Sequence, residues 1–147
     1  MKIAIANDHA AVGYKNILCK HLTEQGHEVI NLGTNDNASC DYPDYAKKVA
    51  HAILNGEVQF GVLICGTGIG MSIAANRFEG IRASVCDNVL TAVMTRRHND
   101  SNVLCMGERI IGQDLMLAIA DAYFSTPFDD ANKPGKHSRR INKIETE

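Results

Sequence analysis

The glycine-rich segment at residues 65–70 has the clearest capacity for chemistry in this sequence. It reads Cys-Gly-Thr-Gly-Ile-Gly and follows an apolar run at 60–64. Alternate glycines allow the backbone to turn sharply and to point successive N–H groups into one concavity, and a helix that begins there adds the positive end of its dipole. Such a turn can bind an anion, either a phosphate or the oxyanion of an enediolate. A purely structural tight turn is the alternative interpretation.

Cys65 lies at the end of the apolar run, directly before these glycines. A helix N-terminus favours the thiolate, the reactive form of cysteine, although a buried structural cysteine fits the position about equally well. The loop also begins the dinucleotide pattern G-x-G-x-x-G, with Asp87 about one strand and one helix further on. However, Met71 stands in place of the third glycine, and the loop follows the third predicted strand rather than the first. A dinucleotide site is therefore disfavoured.

Other polar residues lie at the ends of predicted elements. Asp8 and His9 follow the first apolar run, where they could bind a ligand or cap the next helix. His98 closes a predicted helix, a position at which histidine often serves only as a dipole cap. A basic set could converge on a phosphate or form a solvated helix face. Its members are Arg109, Lys136, His137, Arg139 and Arg140.

Strand-like and helix-like segments alternate along the chain. The predicted strands are 2–6, 28–32, 60–65, 81–86 and 102–106. The predicted helices are 11–25, 42–54, 71–78, 89–97 and 115–124, followed by a basic amphipathic segment at 137–144. This alternation predicts an α/β fold: a single-domain, doubly wound, Rossmann-like sheet of five parallel strands with helices on both faces. In such folds ligands bind beyond the carboxyl ends of the strands, near the switch in strand order.

The composition sets the class of protein. The chain has 147 residues, 45% of them hydrophobic and 22% charged, and a net charge of −2. We therefore expect one globular domain over 1–147, with no nucleic-acid or membrane partner. Five cysteines, an odd number without a C-x-x-C pair, disfavour a disulfide framework or a structural zinc site. No signal peptide is recognisable at the start, so we expect a cytoplasmic protein.

Several long motifs occur in an order that is specific to one family. They cover residues 3–11, 41–46, 65–77, 80–83, 97–104 and 107–109. On these motifs the chain resembles the type B ribose-5-phosphate isomerases, whose family also includes allose-6-phosphate and galactose-6-phosphate isomerases. The resemblance implies the interconversion of ribose 5-phosphate and ribulose 5-phosphate in the pentose phosphate pathway. The reaction passes through a cis-enediolate and uses no metal or organic cofactor.

The resemblance also implies roles for single residues. Cys65 matches the catalytic base, and Thr67 matches a residue that assists the proton movement. Some relatives use a glutamate elsewhere in the site, but Ser72 leaves no carboxylate near this loop, so the chain resembles the branch that uses cysteine. His98 matches the residue that opens the furanose ring.

The resemblance further implies an anion hole, a sugar pocket and a phosphate site. The substrate-binding residues are Asp8, His9, Tyr42, Gly66, Gly68, Ile69, Gly70, Asn99, Arg109, Lys136 and Arg140. One departure is visible near the C-terminus. Where the family commonly has Gly-Gly-Arg-His, residues 134–137 read Pro-Gly-Lys-His. Lys136 keeps the positive charge but lacks the bidentate geometry of an arginine.

In the family that the chain resembles, the site is built between two subunits. We therefore expect a homodimer or a dimer of dimers in which His98 and Asn99 serve the Cys65 of a second copy, with a C-terminal helix at 135–147 packed on that copy. A six-carbon sugar phosphate is the alternative substrate. Galactose-type enzymes pair unlike subunits, whereas this chain contains both Cys65 and His98. An alternative of another class is a non-catalytic module that binds phosphosugars or nucleotides.

Overall fold

The fold is built on one parallel sheet, seen in a computed structural model that describes residues 1–145. Its strands are β1 (Lys2–Asn7), β2 (Glu28–Asn31), β3 (Phe60–Cys65), β4 (Ala83–Val85) and β5 (Val103–Gly107). They lie in the order β2-β1-β3-β5-β4, and every neighbouring pair is parallel. The predicted α/β class and the doubly wound five-stranded sheet are confirmed.

Helices cover both faces of this sheet. They are α1 (Val12–Glu24), α2 (Tyr42–Leu54), α3 (Ile69–Ala75), α4 (Val89–Asn99), α5 (Gln113–Ser125) and α6 (Lys136–Asn142). A short 3-10 turn, His9–Ala11, precedes α1. Within residues 1–145, no helix is long and apolar enough to cross a membrane.

Alternate residues of the strands pack into two separate hydrophobic cores, one on each face of the sheet. Ile3 and Ile5 of β1 face a core that includes residues of α1, α4 and α5. Ala4 and Ala6 face the other core, with residues of α2 and α3. Because successive strand side chains point to opposite faces, a strand covered on both sides must be apolar throughout. This explains the uninterrupted apolar run that becomes β3.

The ends of several elements differ from the sequence prediction. Helix α3 begins at Ile69 rather than at residue 71, because Gly68 (φ 78°) reverses the chain just before it. Strand β4 has only three residues, whereas 81–86 were predicted. Helix α6 ends at Asn142, so it is shorter than the predicted helix at 135–147, of which residues 146 and 147 lie outside the described residues.

The strand register fixes where each loop emerges. Gly61 pairs with Val103, and Cys65 pairs with Gly107, so β3 and β5 end side by side. We call the side where the strands end the carboxyl edge and the opposite side the amino edge. The chain passes from β1 to β2 on one side and then returns to place β3 on the other side of β1. The switch in strand order therefore lies between β1 and β3, beside Asp8 and the glycine loop.

Candidate active site

The Cys65 thiol lies at the carboxyl edge, as the last side chain of β3. It is only 5% exposed, and the Gly68 N–H donates a hydrogen bond to its Sγ at 3.1 Å. Helix α3 begins one residue after Gly68. A donated N–H and the start of a helix both favour the anionic form of a sulfur atom. The loop thus directs a backbone N–H donor and the start of a helix towards the Cys65 sulfur atom.

Close packing holds the loop in this shape. A Cβ added to Gly68 would lie 2.9 Å from the backbone carbon of Met106, and one added to Gly107 would lie 2.6 Å from the backbone of Thr67. Two backbone bonds tie the loop to the segment after β5: the Glu108 N–H donates to the Cys65 carbonyl at 2.9 Å, and the Arg109 N–H donates to the Gly66 carbonyl at 3.0 Å. Only glycine permits two backbones to approach so closely.

Tyr42, Thr67 and Arg109 surround the same loop. The Tyr42 ring lies against Gly70, where an added Cβ would be 2.8 Å from the ring carbon Cζ. Thr67 is exposed, and its Oγ1 accepts the Ile69 N–H at 3.3 Å. The Arg109 guanidinium lies beside the loop, with Nη1 3.4 Å from the position of a Cβ at residue 66. The structure therefore brings an aromatic wall, a hydroxyl and a cation to the cysteine loop.

Asp8 and His9 extend this group from the neighbouring strand. The Asp8 carboxylate is nearly buried and accepts the Ala10 N–H at 2.9 Å, so it caps the 3-10 turn, as the alternative interpretation proposed. The Asp8 N–H donates to the Ile64 carbonyl at 3.3 Å, which fixes Asp8 beside the end of β3. His9 accepts the Cys40 N–H on Nδ1 at 3.3 Å, which ties the 3-10 turn to the loop before α2.

Cys40 was not among the predicted site residues. Its Sγ lies 3.9 Å from His9 Nδ1, and the two residues are 31 positions apart in the chain. The contact depends on how the loop between β2 and α2 folds back over the 3-10 turn. No periodicity or motif in that polar loop indicates such a return.

His98 and Asn99 lie at the opposite edge of the sheet. They end α4, and β5 begins four residues later at Val103, which pairs with Gly61 rather than with Cys65. Four strand residues at about 3.3 Å each separate the two levels by about 13 Å along the strands. Within one chain the structure does not bring His98 to Cys65.

His98 lines a cleft of about 390 Å³ at the amino edge. The lining residues are His98, Asn99, His137, Arg140, Ile141 and Ile144. Arg140 of α6 thus belongs with His98, while His9 and Arg109 lie at the carboxyl edge. Lys136, also predicted to bind phosphate, is exposed at the start of α6 and does not line this cleft. The predicted phosphate residues are divided between the two edges.

The His98 ring is stacked on the His137 ring. The ring centroids are 4.4 Å apart, and the planes differ by 5°. Asp129 Oδ2 lies 3.9 Å from His98 Nε2, and Asp129 Oδ1 accepts the Arg97 Nε–H at 2.9 Å. The Arg97 guanidinium holds the pKa of Asp129 below its ordinary value. Neither His137 nor Asp129 was predicted to touch His98, because the contact depends on how the chain after α5 folds.

These three side chains also have to be considered as metal ligands. The ligand atoms of His98, Asp129 and His137 lie within 4.8 Å of one another, the one such group among the described residues. An imidazole binds a metal along the lone pair of its nitrogen, which lies in the ring plane. Because the two ring planes are almost parallel, their lone pairs cannot converge on one ion. The geometry of this group is therefore not that of a metal site.

A switch-point site that presents a thiol, backbone N–H groups, a carboxylate and an arginine is that of a small α/β enzyme acting on an anionic substrate. The model of the family described as Ribose/Galactose Isomerase matches residues 3–144, and the chain belongs to this family.

Known proteins are similar in sequence and structure to almost the whole of this chain. Ribose-5-phosphate isomerase B of Escherichia coli is 46% identical over 143 residues, covering 97% of this chain and 93% of the relative. The solved structure of ribose-5-phosphate isomerase B from Clostridium thermocellum matches with a TM-score of 0.95 at 47% identity, over 99% of this chain and 95% of the other. A ribose 5-phosphate isomerase structure from Thermotoga maritima matches with a TM-score of 0.93 at 51% identity, and the match covers 98% of this chain and 97% of the other.

Replacing Gly68 with alanine tests the packing of the loop. Gly68→Ala adds both a strained positive φ, which costs about 1–2 kcal/mol for an L-residue, and a clash with the Met106 backbone. The control is Gly56→Ala, where φ is +73° and nothing lies within 4 Å of the new Cβ. We expect a larger fall in the free energy of unfolding for Gly68→Ala, measured by urea denaturation. Equal losses in both variants would show that the close approach does not constrain the loop.

Proposed function

We propose that this protein is a ribose-5-phosphate isomerase that interconverts ribose 5-phosphate and ribulose 5-phosphate, working in the cytoplasm in the pentose phosphate pathway. The observation that carries the proposal is the Cys65 thiol, held by the Gly68 N–H at 3.1 Å at the switch point of the sheet. Full-length relatives named ribose-5-phosphate isomerase B support the choice of substrate.

The loop fits the proton transfer of an aldose–ketose isomerisation. The Cys65 thiolate takes the proton from C2 of the open-chain aldose, and the C2–H electron pair forms the C1–C2 double bond while the C1 carbonyl oxygen becomes an enediolate oxygen. The N–H groups of the loop at 66–70 are our candidates to stabilise that oxygen, because donors near the reacting atoms favour the charge that develops in the transition state. The Gly68 and Ile69 N–H groups, which donate to Cys65 Sγ and Thr67 Oγ1 in the free chain, would have to turn to the substrate. The thiol then returns the proton to C1, and the proton of the C2 hydroxyl moves to O1. The Thr67 hydroxyl lies beside the loop and can carry it.

Ring opening must come first, because ribose 5-phosphate is mainly a furanose. The bond between C1 and the ring oxygen breaks as that oxygen gains a proton and the C1 hydroxyl loses one. An imidazole suits this exchange because it can donate and accept near neutral pH. His98 is our candidate for the proton on the ring oxygen, and Asp8 is our candidate for contact with the sugar hydroxyls.

A second copy of the chain would complete the site, since His98 lies at the amino edge of its own sheet. Large apolar side chains support such an assembly. Ile69 and Ile73 of α3, beside the cysteine loop, are 54% and 62% exposed, and Leu90 of α4 is 68% exposed. Exposed apolar groups of this size near a site are typical of subunit interfaces. We therefore propose a homodimer in which α4 and α6 of one copy serve the cysteine loop of the other.

This assembly also explains the division of the phosphate residues. His9 and Arg109 of one copy would meet Arg140 of the other around the phosphate dianion. Fixed contacts at the phosphate hold C1 and C2 against the base, so that binding energy is used for orientation.

Removing the thiol tests the assignment of the base. Cys65→Ala should lower kcat for ribose 5-phosphate by about 10²- to 10⁴-fold, the usual contribution of a general base, while the substrate still binds. Turnover is measured by ribulose 5-phosphate formation and binding by calorimetry. The control is Cys19→Ala, a half-buried cysteine of α1.

Full activity of Cys65→Ala would overturn this assignment. The wild-type protein is assayed in parallel on allose 6-phosphate, and a higher kcat/KM there would assign the six-carbon reaction instead. A wild-type protein that binds these sugars but converts none of them would be a binding module.

Mixing two inactive variants tests the shared site. In a mixed dimer of one Cys65→Ala chain and one His98→Ala chain, each proposed site combines residue 65 of one chain with residue 98 of the other. One site then lacks both the thiol and the imidazole, and the other site has both. Random assembly of equal amounts should restore about a quarter of the wild-type activity, because half of the dimers are mixed and half of their sites are intact. The variants are co-expressed or refolded together and assayed on ribose 5-phosphate. Activity that stays at the level of the separate variants would place both residues in one chain's site.

Truncating Arg140 tests the phosphate site. Arg140→Ala should raise KM for ribose 5-phosphate by about tenfold or more, since charge-assisted bonds are worth about 1.5–3 kcal/mol, and should hardly change the KM for free ribose. The control is Arg139→Ala, an exposed neighbour that does not line the His98 cleft. An equal effect of Arg140→Ala on both sugars would make Arg140 a surface charge without a role in phosphate binding.

A further inference from the structure

Two adjacent aspartates join the end of α4 to the start of α6. Asp130 Oδ2 accepts the Ser138 N–H at 2.7 Å, the Ser138 hydroxyl at 3.1 Å and the Gly135 N–H at 3.1 Å. The hydrogen bonds from Ser138, the backbone N–H first, lower the pKa of Asp130. The carboxylate therefore fixes the first turn of α6, the turn that carries His137.

Asp129 binds the other side of the junction. Its N–H donates to the Arg97 carbonyl at 3.1 Å, and its Oδ1 accepts the Arg97 Nε–H at 2.9 Å. The remaining oxygen, Oδ2, faces His98 Nε2 at 3.9 Å. This separation is too long for a direct hydrogen bond but short enough for the carboxylate charge to act on the ring.

His137 holds the same ring from its face. It is only 7% exposed, and its plane is within 5° of the His98 plane. Two bonds of the His98 side chain can rotate, and a stacked neighbour removes most of that freedom. Arg140 lies one helical turn beyond His137 and lines the same cleft. The His137 ring and the proposed phosphate ligand Arg140 are therefore carried on the same helix, α6.

We infer that Asp129 and His137 are positioning residues for ring opening: they hold the His98 imidazole in the orientation, and with the proton placement, needed at the furanose oxygen. The inference rests on the proposed function and adds two residues to it.

The charges around His98 favour this role. Asp129 supplies a negative charge on the Nε2 side, Arg97 neutralises part of it, and Arg140 contributes a positive group from α6. The remaining carboxylate near the helix end, Asp100, is bound by Arg96 at 2.8 Å and by Arg82 at 3.3 Å. Asp129 is therefore the carboxylate that faces the imidazole.

The test separates ring opening from proton transfer on carbon. Ribulose 5-phosphate cannot close a furanose ring, because its C5 hydroxyl carries the phosphate. Exchange of its C1 proton with D₂O therefore reports the Cys65 step without ring opening. Turnover of ribose 5-phosphate needs both steps. His98→Ala serves as the reference, with turnover lost and exchange retained.

Asp129→Asn and His137→Ala should show the same pattern to a smaller degree. We expect kcat for ribose 5-phosphate to fall about tenfold, a smaller loss than the 10²- to 10⁴-fold that is usual when a general acid is removed. KM and the rate of C1 exchange should stay within about twofold of wild type. His137→Phe keeps a flat ring in the stack and should recover most of the activity. The control is Asp121→Asn, which breaks another aspartate–histidine pair, to His21 at 2.7 Å, outside the cleft.

Other patterns would overturn the inference. Equal losses of turnover and exchange would mean a general structural role, and unchanged turnover in both variants would mean no role. A raised KM with normal kcat would make His137 a binding residue. Failure of the proposed function is distinguishable, since the wild-type protein would then neither isomerise nor exchange. The ¹⁵N shifts of the His98 ring need no activity and should change in Asp129→Asn but not in Asp121→Asn; if Asp129→Asn also leaves them unchanged, the positioning itself is refuted.

Discussion

The parallel register of β3 and β5 is the constraint on which the rest of the site depends. Because Cys65 pairs with Gly107 and Gly61 with Val103, the loops after both strands emerge together. This places the thiol beside the turn that carries Arg109. The same register sends every returning helix to the other edge, so a residue at the end of α4 cannot reach the thiol of its own chain. The residues of the proposed site therefore lie at two separate edges of one chain, and this separation is the physical reason for proposing a second copy.

Glycine spacing then makes the carboxyl edge rigid. Gly68 and Gly107 allow the cysteine loop and the end of β5 to touch through their backbones, and Gly70 allows the Tyr42 ring to pack closely against the start of α3. A loop held on several sides loses little entropy when an anion binds. Under the proposed function, donors held in place before the reaction would contribute most to an oxyanion transition state.

The sequence predicted this edge well and the other edge poorly. An apolar run followed by alternate glycines has few structural solutions, so β3, the turn and the place of Cys65 could be inferred from local pattern alone. The stack of His98 on His137 has no local signal. It depends on the irregular segment between α5 and α6, where side-chain bonds from Asp129 and Asp130 replace a regular element. The contact between Cys40 and His9 could not be predicted either, because it also depends on the fold of an irregular loop, the one between β2 and α2.

The position of Lys136 follows from the same junction. A cation in the first turn of a helix opposes the helix dipole, which favours negative charge there. Asp130 offsets this, because its carboxylate accepts N–H groups of that turn. Lys136 is exposed and outside the His98 cleft, whereas Arg140, one turn further on, lies within it. With a lysine in place of the family's usual arginine at this position, the planar, bidentate contact to the phosphate would fall to Arg140 in the proposed site. Because Asp130 fixes the first turn of α6, Arg140 and His137 are held in one orientation relative to each other.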